Sequence, residues 1–338
     1  MTSTQSKYDD ELSILSEEAN VKEIERIEKP TPLQFYRDYV SQNRPVIIKG
    51  AIDDWRALKL WTNQYLCEKM KDVEVTVAIT PDGLGDAVKD VDGTQCFVKP
   101  LEKKLKFQDF MNVKEQDKNN IYYIQYQNGS FDLEFENLWS DINHLAIDFA
   151  KEAFGMDPDA VNFWCGENRS VSSLHKDPYV RGTKIFTLLP PLDYPFLYET
   201  EFPSATYVEK QPNGGNGELV VEMDSPPTSI PWIPVDPTLP YELNRDRFPQ
   251  IDRAHPLHVE VHEGEILYLP SLYYHRVAQS GDDEGKTIAI NYWFDMKYGL
   301  NYSGSCIHFD GSQSHSGLSV MRSNHFTLFS DSESSFGN

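Results

Sequence analysis

The chain has few cysteines, a deficit of basic residues and no long apolar run. Its four cysteines show no Cys-x-x-Cys spacing, which excludes the usual signs of a structural zinc site or a disulfide framework and favours reduced thiols. Acidic residues outnumber basic ones by 53 to 31, and the formal net charge of −22 argues against binding to nucleic acid or to anionic membranes. No stretch approaches the ~18 apolar residues of a membrane span, and no signal-peptide core is evident. We therefore expect a soluble intracellular protein.

Several common catalytic signatures are also missing. The sequence has no Gly-x-Ser-x-Gly, no His-Glu-x-x-His and no Gly-x-x-x-x-Gly-Lys motif. The usual signatures of serine hydrolases, common zinc peptidases and P-loop enzymes are therefore absent. A chain of 338 residues can bury a large core and is compatible with one β domain with a helical flank.

Hydrophobic periodicity predicts a mainly β chain with flanking helices. Amphipathic or short helices are predicted at residues 8–19, 33–40, 53–70, 105–115 and 137–154, and early strands at 45–49 and 73–79. From residue 160 onwards short strands follow one another, at 161–164, 171–175, 184–189, 257–261, 266–270 and 287–294. Strands at this spacing favour a double-sheet jelly roll.

The predicted organisation has three parts. Residues 1–30 form an acidic helix and linker, residues 31–302 form the domain, and the serine-rich residues 303–338 are predicted to be disordered. Within the domain, the jelly-roll core begins near residue 160 and is interrupted by an insertion at 190–256, rich in Pro, Gly and Tyr. Such a long insertion either lines a substrate entrance or is solvated decoration.

Two histidines and one aspartate carry the most chemical information. His175 and Asp177 lie two residues apart, so on a strand their side chains share a face, and His275 follows a second apolar strand. Two imidazoles and one carboxylate form the facial set of non-haem iron sites, which leaves metal positions open for dioxygen and a chelating cosubstrate. The set therefore predicts an oxygenase.

Two other groups of histidine and acid are weaker candidates for a metal site. The pair His308 and Asp310 lies in the serine-rich tail, with no later strand to supply a third ligand. His258, Glu260 and His262 would share one strand face, but Val259 and Val261 would form the other. Because the apolar face of a half-buried strand turns inward, this group is predicted to face solvent.

Several runs of the sequence resemble the JmjC-domain family, in the branch that combines peptidase and (3S)-lysyl hydroxylase activities. The similarity extends from about residue 30 to residue 302. It rests on Trp55 and on residues 32–38, 43–48, 77–83, 158–164, 173–177, 264–270 and 291–296.

The resemblance implies an Fe(II)- and 2-oxoglutarate-dependent oxygenase on a double-stranded β-helix, the jelly roll of cupin and JmjC proteins, with dioxygen as cosubstrate. The positions that match the family's iron ligands are His175, Asp177 and His275, and those that match its 2-oxoglutarate contacts are Tyr123, Ser172, Lys184 and Asn291. A lysine ammonium can neutralise the distal carboxylate of 2-oxoglutarate, and hydroxyl groups can complete its hydrogen bonds.

The resemblance also implies a reaction and a partner. The expected reaction is (3S)-hydroxylation of a lysine in a GTPase of the developmentally regulated class, in the cytoplasm and nucleus. The acidic surface would attract a basic, lysine-containing segment of that partner. The family's endopeptidase activity on methylated histone tails is an alternative, although no peptidase nucleophile is evident in the sequence.

Two departures from the family pattern leave further alternatives open. Only residues 178–183 separate Asp177 from Lys184, about six fewer than in the family, which is the length of a short strand at ~3.3 Å per residue. The hairpin is thus predicted to be truncated unless the sheet recruits a substitute, and a JmjC-fold binding protein with impaired catalysis is the alternative function. The serine-rich tail replaces an apolar helix that contributes to the family's dimer, so a homodimer is left open.

Overall fold

The computed structural model describes residues 10–11, 13–18, 21–175, 183–210 and 218–295. The strands are β1 (Arg26–Glu28), β2 (Val46–Lys49), β3 (Glu74–Thr80), β4 (Leu84–Gly85), β5 (Ala87–Val91), β6 (Thr94–Lys99), β7 (Leu101–Lys106), β8 (Ile121–Tyr123), β9 (Ala160–Gly166), β10 (Val171–His175), β11 (Thr183–Leu189), β12 (Thr200–Lys210), β13 (Glu218–Met223), β14 (Ser229–Trp232), β15 (Leu257–Val261), β16 (Ile266–Tyr268), β17 (Tyr274–Ser280) and β18 (Thr287–Trp293). Asp177 and the predicted tail at 303–338 lie outside the described residues.

The helices flank these strands. They are α1 (Pro32–Phe35), which continues as a π-helix (Tyr36–Val40), α2 (Ala57–Leu60), α3 (Asn63–Met70), α4 (Phe107–Gln116), α5 (Ser130–Glu134), α6 (Asp148–Phe154) and α7 (Tyr241–Asn244). Short 3-10 helices span Glu136–Asp141, His144–Ile147, Pro191–Phe196 and Ile251–Arg253. Residues 10–11 and 13–18 are also helical. Within the described ranges, no helix combines the length and apolar character needed to cross a membrane.

Strands that curl into a half-barrel dominate the fold. The sheet that carries the predicted histidines has the order β15-β11-β17-β10-β4, and β9 pairs with β18 in a separate two-stranded sheet. Side chains alternate along β18: Ile288 and Ile290 enter one apolar cluster, whereas Ala289 packs with residues of a second cluster between the sheets. The mainly β, jelly-roll fold class predicted from the sequence is confirmed.

Strand β11 is paired along both edges, although the segment that precedes it is short. Five residue pairs join β11 to β15 and seven join it to β17, so both of its edges are hydrogen-bonded. On the far side, β10 pairs with β17 and with the two-residue strand β4. The central strands therefore keep their backbone partners, which removes the penalty that buried unpaired backbone groups would cause.

The insertion at 190–256 contains strands that the sequence analysis did not predict. The 11-residue strand β12 pairs with β13, with β14 and with β6 from the first half of the chain. Pro203 lies inside β12, and a proline within an apolar run argues against a strand, so the alternation was hidden. The predicted helix at 137–154 also differs, because two 3-10 helices precede α6 and the Asn143 side chain caps the second.

The exposed face predicted for His258 and Glu260 is confirmed. Both residues are exposed on β15, whereas Val259 and Val261 are buried in the cluster between the sheets. The three cysteines within the described residues, Cys67, Cys96 and Cys165, form no disulfide.

Candidate metal and cosubstrate site

The sheet brings two of the three predicted iron ligands together. His175 at the end of β10 is the register partner of His275 near the start of β17, after a bulge that follows Ser172. The centroids of the two imidazole rings are 4.3 Å apart. A pair of imidazoles at this separation can share one cation, provided that their lone pairs point to the same place.

Backbone carbonyls select the ring nitrogen that each histidine can offer. The Nδ1 atom of His175 lies 2.6 Å from the carbonyl oxygen of Ser173, and the Nδ1 atom of His275 lies 3.3 Å from that of Tyr273. A carbonyl only accepts, so each Nδ1 carries the proton and each Nε2 carries the lone pair that a metal needs. Burial, and then the neighbouring His175, lower the pKa of His275 well below its usual value, which favours the neutral imidazole.

The third predicted ligand, Asp177, lies outside the described residues. Across the part of the chain that the structure describes, no three histidine, cysteine, aspartate or glutamate side chains are grouped as a metal site would require. The described part of this site is therefore the pair of imidazoles, and the carboxylate stays a prediction from the sequence.

Three of the four predicted 2-oxoglutarate contacts converge on one another. The Lys184 ammonium donates a hydrogen bond of 3.0 Å to the hydroxyl oxygen of Tyr123, and Ser172 is hydrogen-bonded to the same hydroxyl. The Lys184 ammonium also lies 5.9 Å from the ring centroid of Trp164. These groups come from β8, β9, β10 and β11, so the contacts depend on the fold rather than on nearby sequence.

Lys184 is buried without a compensating charge. Its side chain is 3% exposed, and no described carboxylate forms an ion pair with it. Burial lowers the pKa of Lys184 to about 7. A buried cation with a hydroxyl partner but no anion is costly for the folded protein, and an anionic ligand would remove that cost.

The fourth predicted contact, Asn291, is buried and incompletely hydrogen-bonded. It is 2% exposed, and its Oδ1 atom has no partner among the described residues. The Nε1 atom of Trp164 and the Oε1 atom of Gln279 are in the same condition. A buried polar atom without a partner costs about 1–3 kcal/mol, and several of them in one region favour a polar ligand there.

The lysine and the imidazoles mark two ends of one sheet face. Lys184 pairs with Gln279 in the register of β11 and β17, and Leu188 pairs with His275. The two pairs are four residues apart along β11, which corresponds to about 13 Å of backbone. The Lys184 side chain spans part of this distance. Phe186 lies between them, with its ring centroid 6.2 Å from that of His275. A short dicarboxylate would be needed to bridge the cationic and the metal-binding ends at this separation.

Sequence reasoning missed Trp232 and Asp86, which meet at the Ser173 hydroxyl, two residues before His175. Trp232, from the insertion, lies parallel to His175 with 6.4 Å between ring centroids and an interplanar angle of 5°. Its Nε1 atom donates to the hydroxyl of Ser173, which in turn donates to the backbone carbonyl of Asp86. The sequence is compatible with an insertion that either lines a substrate entrance or is solvated decoration. Trp232 shows that one strand of the insertion reaches the candidate site.

Comparison with known proteins identifies the family. A sequence profile described as the cupin-like domain matches residues 32–300. This chain belongs to the cupin-like, JmjC-type domain family. JmjC domain-containing protein E of Dictyostelium discoideum is 54% identical to it over 323 residues, which cover 88% of this chain and 92% of that protein.

Two further relatives in the family have names that state an activity. Lysine-specific demethylase JMJ32 of Arabidopsis thaliana is 38% identical over 288 residues, or 81% of this chain and 82% of that protein. The human bifunctional peptidase and (3S)-lysyl hydroxylase JMJD7 is 39% identical over 282 residues, or 81% of this chain and 84% of that protein. Membership of the JmjC family is thus confirmed, whereas the peptidase and lysyl hydroxylase branch stays a prediction. Family membership supports a function of the 2-oxoglutarate oxygenase type, which generally uses Fe(II) and 2-oxoglutarate.

Proposed function

We propose that this chain is an Fe(II)- and 2-oxoglutarate-dependent oxygenase that hydroxylates a lysine side chain of a partner protein. The observation that carries the proposal is the buried Lys184 ammonium, which has no described anionic partner and shares a sheet face with two adjacent imidazoles. A cation and a metal-binding pair at this separation complement a molecule with a carboxylate at one end and a chelating group at the other.

Lys184 would hold the distal carboxylate of 2-oxoglutarate. The Tyr123 hydroxyl accepts a hydrogen bond from the Lys184 ammonium and is hydrogen-bonded to Ser172, and it would donate its own proton to that carboxylate. Burial raises the pKa of Tyr123 above its usual value, which keeps the hydroxyl protonated. Asn291 would supply a further polar contact, since its buried amide oxygen has no described partner.

His175 and His275 would hold the metal through Nε2, and Asp177 would complete the set. The carbonyls of Ser173 and Tyr273 hold each imidazole in the tautomer that ligation requires. Fe(II) bound there would supply the activation of dioxygen that is coupled to conversion of 2-oxoglutarate to succinate and CO2. Phe186 and the buried surroundings of His275 exclude bulk water from this end of the site.

A lysine in a protein is the substrate that the family comparison favours. The human relative is named for (3S)-lysyl hydroxylation as well as for peptidase activity. The net charge of −22 favours a basic segment, and by resemblance the partner is a GTPase of the developmentally regulated class, in the cytoplasm or nucleus.

The test measures succinate formation and peptide oxidation together. The chain is incubated with Fe(II), 2-oxoglutarate and lysine-containing peptides, and peptide mass is monitored for an increase of one oxygen atom. The wild-type chain is expected to form succinate, and His275→Ala is expected to form none above background. His262→Ala is the matched control, because this histidine is exposed and lies outside the paired imidazoles. Equal turnover by wild type and His275→Ala would refute the site.

Titration with 2-oxoglutarate separates the oxygenase from a catalytically impaired binding protein. With Mn(II) in place of Fe(II), calorimetry is expected to detect micromolar binding of 2-oxoglutarate. Absence of binding in a correctly folded sample would contradict the proposal and favour loss of the cosubstrate site through the short segment before β11.

A further inference from the structure

Asp86 is a carboxylate in an unusual position between β4 and β5. Its backbone is left-handed, with φ 52°, a conformation that residues with a side chain seldom adopt. Its Oδ2 atom accepts one hydrogen bond of 3.3 Å from the Nε2 atom of Gln125. No cation forms an ion pair with this carboxylate among the residues that the structure describes.

Other acids of the neighbouring strands do have cationic partners. Lys89 lies 2.7 Å from Asp82, Lys99 lies 2.7 Å from Asp224, and other lysines of this region are similarly paired. Asp86 differs from them because its partly buried carboxylate accepts a hydrogen bond from the Gln125 amide and forms no ion pair with a described residue. Burial, and then the negative charge of Glu102, raise the pKa of Asp86 to about 6. Asp82 and Asp224 thus have cationic partners, whereas Asp86 has none among the described residues.

A short chain of contacts connects Asp86 to the candidate metal site. Its backbone carbonyl accepts a hydrogen bond of 2.5 Å from the Ser173 hydroxyl, which lies two residues before His175. Trp232 donates a bond of 3.1 Å to the same hydroxyl and lies parallel to the His175 ring. The Trp232 side chain and the Asp86 backbone thus meet at the Ser173 hydroxyl, two residues before His175.

This arrangement complements a long cationic side chain. An alkyl chain can lie along the face of an indole ring, and the cation at its end is stabilised both by the ring and by a nearby carboxylate. The ligand's cation would supply the missing counterion, because a buried carboxylate binds a cation more strongly than an exposed one does. An uncharged side chain of the same length would leave Asp86 without a partner, and the site would reject it.

We propose that Asp86 determines substrate specificity by binding the ammonium group of the lysine to be modified, whose methylene groups lie along Trp232. The inference rests on the proposed oxygenase function, because it assigns the substrate end of that same site. Gln125 positions the carboxylate, and the left-handed backbone at Asp86 directs it there.

The experiment compares binding of two peptide mixtures to the full chain loaded with Mn(II) and 2-oxoglutarate. Both mixtures have randomised flanks, and they are centred on lysine or on norleucine. Wild type is expected to retain the lysine mixture at least about 10-fold better than the norleucine mixture, and Asp86→Asn is expected to lose most of that preference. Asparagine has nearly the same shape, tolerates a left-handed backbone and can still accept the bond from Gln125.

Asp82→Asn is the matched control, because it removes an equal charge four residues away from an exposed ion pair. This variant is expected to keep the wild-type preference. The inference is overturned if wild type does not distinguish the two mixtures, if Asp86→Asn keeps the preference, or if Asp82→Asn loses it equally. Asp86→Asn that folds but no longer binds 2-oxoglutarate would also overturn it, since Asp86 would then belong to the cosubstrate site.

Succinate formation separates this inference from the proposed function. Succinate formed by wild type together with an unchanged lysine preference in Asp86→Asn would leave the oxygenase standing and remove the role of Asp86. A lysine preference that depends on Asp86, in a chain that forms no succinate, would refute the oxygenase and leave the binding role standing.

Discussion

Two buried lysines of this protein have opposite surroundings. Lys184 on β11 and Lys286 just before β18 are each 3% exposed. Lys286 lies 2.8 Å from Asp282 and 2.6 Å from Glu284. Burial lowers the pKa of Lys286, but its hydrogen bonds to these carboxylates outweigh that effect, and the pKa is raised overall. Among the described residues Lys184 has the Tyr123 hydroxyl but no carboxylate as a hydrogen-bond partner, and burial lowers its pKa to about 7.

On the proposed function, Lys286 is a structural cation and Lys184 is a ligand-binding one. The turn at 282–286 contains the counterions of Lys286, so the fold satisfies that charge locally. Lys184 is instead surrounded by hydroxyl and amide groups, and by buried polar atoms that have no hydrogen-bond partner among the described residues. A protein keeps such a charge at a cost in stability when a ligand supplies the missing partner.

The largest expected effect is loss of 2-oxoglutarate affinity in Lys184→Met. Methionine fills a similar volume but cannot bind a carboxylate, and losing a buried charged hydrogen bond costs about 2–5 kcal/mol, which corresponds to an affinity loss of at least about 30-fold. Calorimetry with Mn(II) and 2-oxoglutarate measures it. Lys286→Met is the control and is expected to bind 2-oxoglutarate as wild type does. Similar losses in both variants would show that the two lysines do not differ in function.

Stability without ligand should change in opposite directions in the same two variants. Lys184→Met removes a buried charge that lacks a counterion and should stabilise the metal-free protein by about 1–3 kcal/mol. Lys286→Met leaves two carboxylates without their cation and should destabilise it by about 1–2 kcal/mol, a modest value because both acids are partly exposed. Urea denaturation of both variants measures the difference. A destabilised Lys184→Met would contradict the comparison.

The pH dependence of 2-oxoglutarate binding should reveal the same lysine. The ligand-free protein holds Lys184 with a pKa of about 7, so the cationic form that binds a carboxylate becomes scarcer as the pH rises above that value. Affinity is expected to fall by about 10-fold per pH unit between pH 7.5 and 8.5. His275 does not compensate, because burial and then the neighbouring His175 hold its pKa well below the usual value. In Lys184→Arg, whose guanidinium stays charged, any remaining binding should not depend on pH over the same range.

The elements around the site were largely predictable, but the contacts that define it were not. Short apolar runs predicted β10, β11 and β18, whereas β17, which carries His275, was not predicted. The convergence of Lys184 with Tyr123 could not be derived locally, since 61 positions separate the two residues and only strand order brings them together. The family resemblance, rather than any periodicity, identified that pair.

Trp232 and Asp86 show the limit of sequence reasoning more clearly. Trp232 follows Pro231 in an insertion whose prolines obscured its strands, so nothing local connected it with His175. Asp86 lies in a run of turn residues, where an aspartate is usually solvated. Its contact with Ser173 accompanies the pairing of β4 with β10, two strands of two and five residues that are distant in sequence.

The smallest expected effect concerns Tyr123 and separates the lysine from its hydroxyl partner. Tyr123→Phe keeps the ring but removes the hydroxyl. That hydroxyl accepts a hydrogen bond from the Lys184 ammonium and, on the proposed function, would donate one to the ligand carboxylate. One such hydrogen bond contributes about 0.5–1.5 kcal/mol, so 2-oxoglutarate affinity should fall by about 2- to 10-fold. Tyr122→Phe is the control, because its hydroxyl donates to Asp117 instead. If Tyr123→Phe lost as much affinity as Lys184→Met, the hydroxyl rather than the charge would dominate carboxylate binding, and the contrast between the two buried lysines would lose its functional meaning.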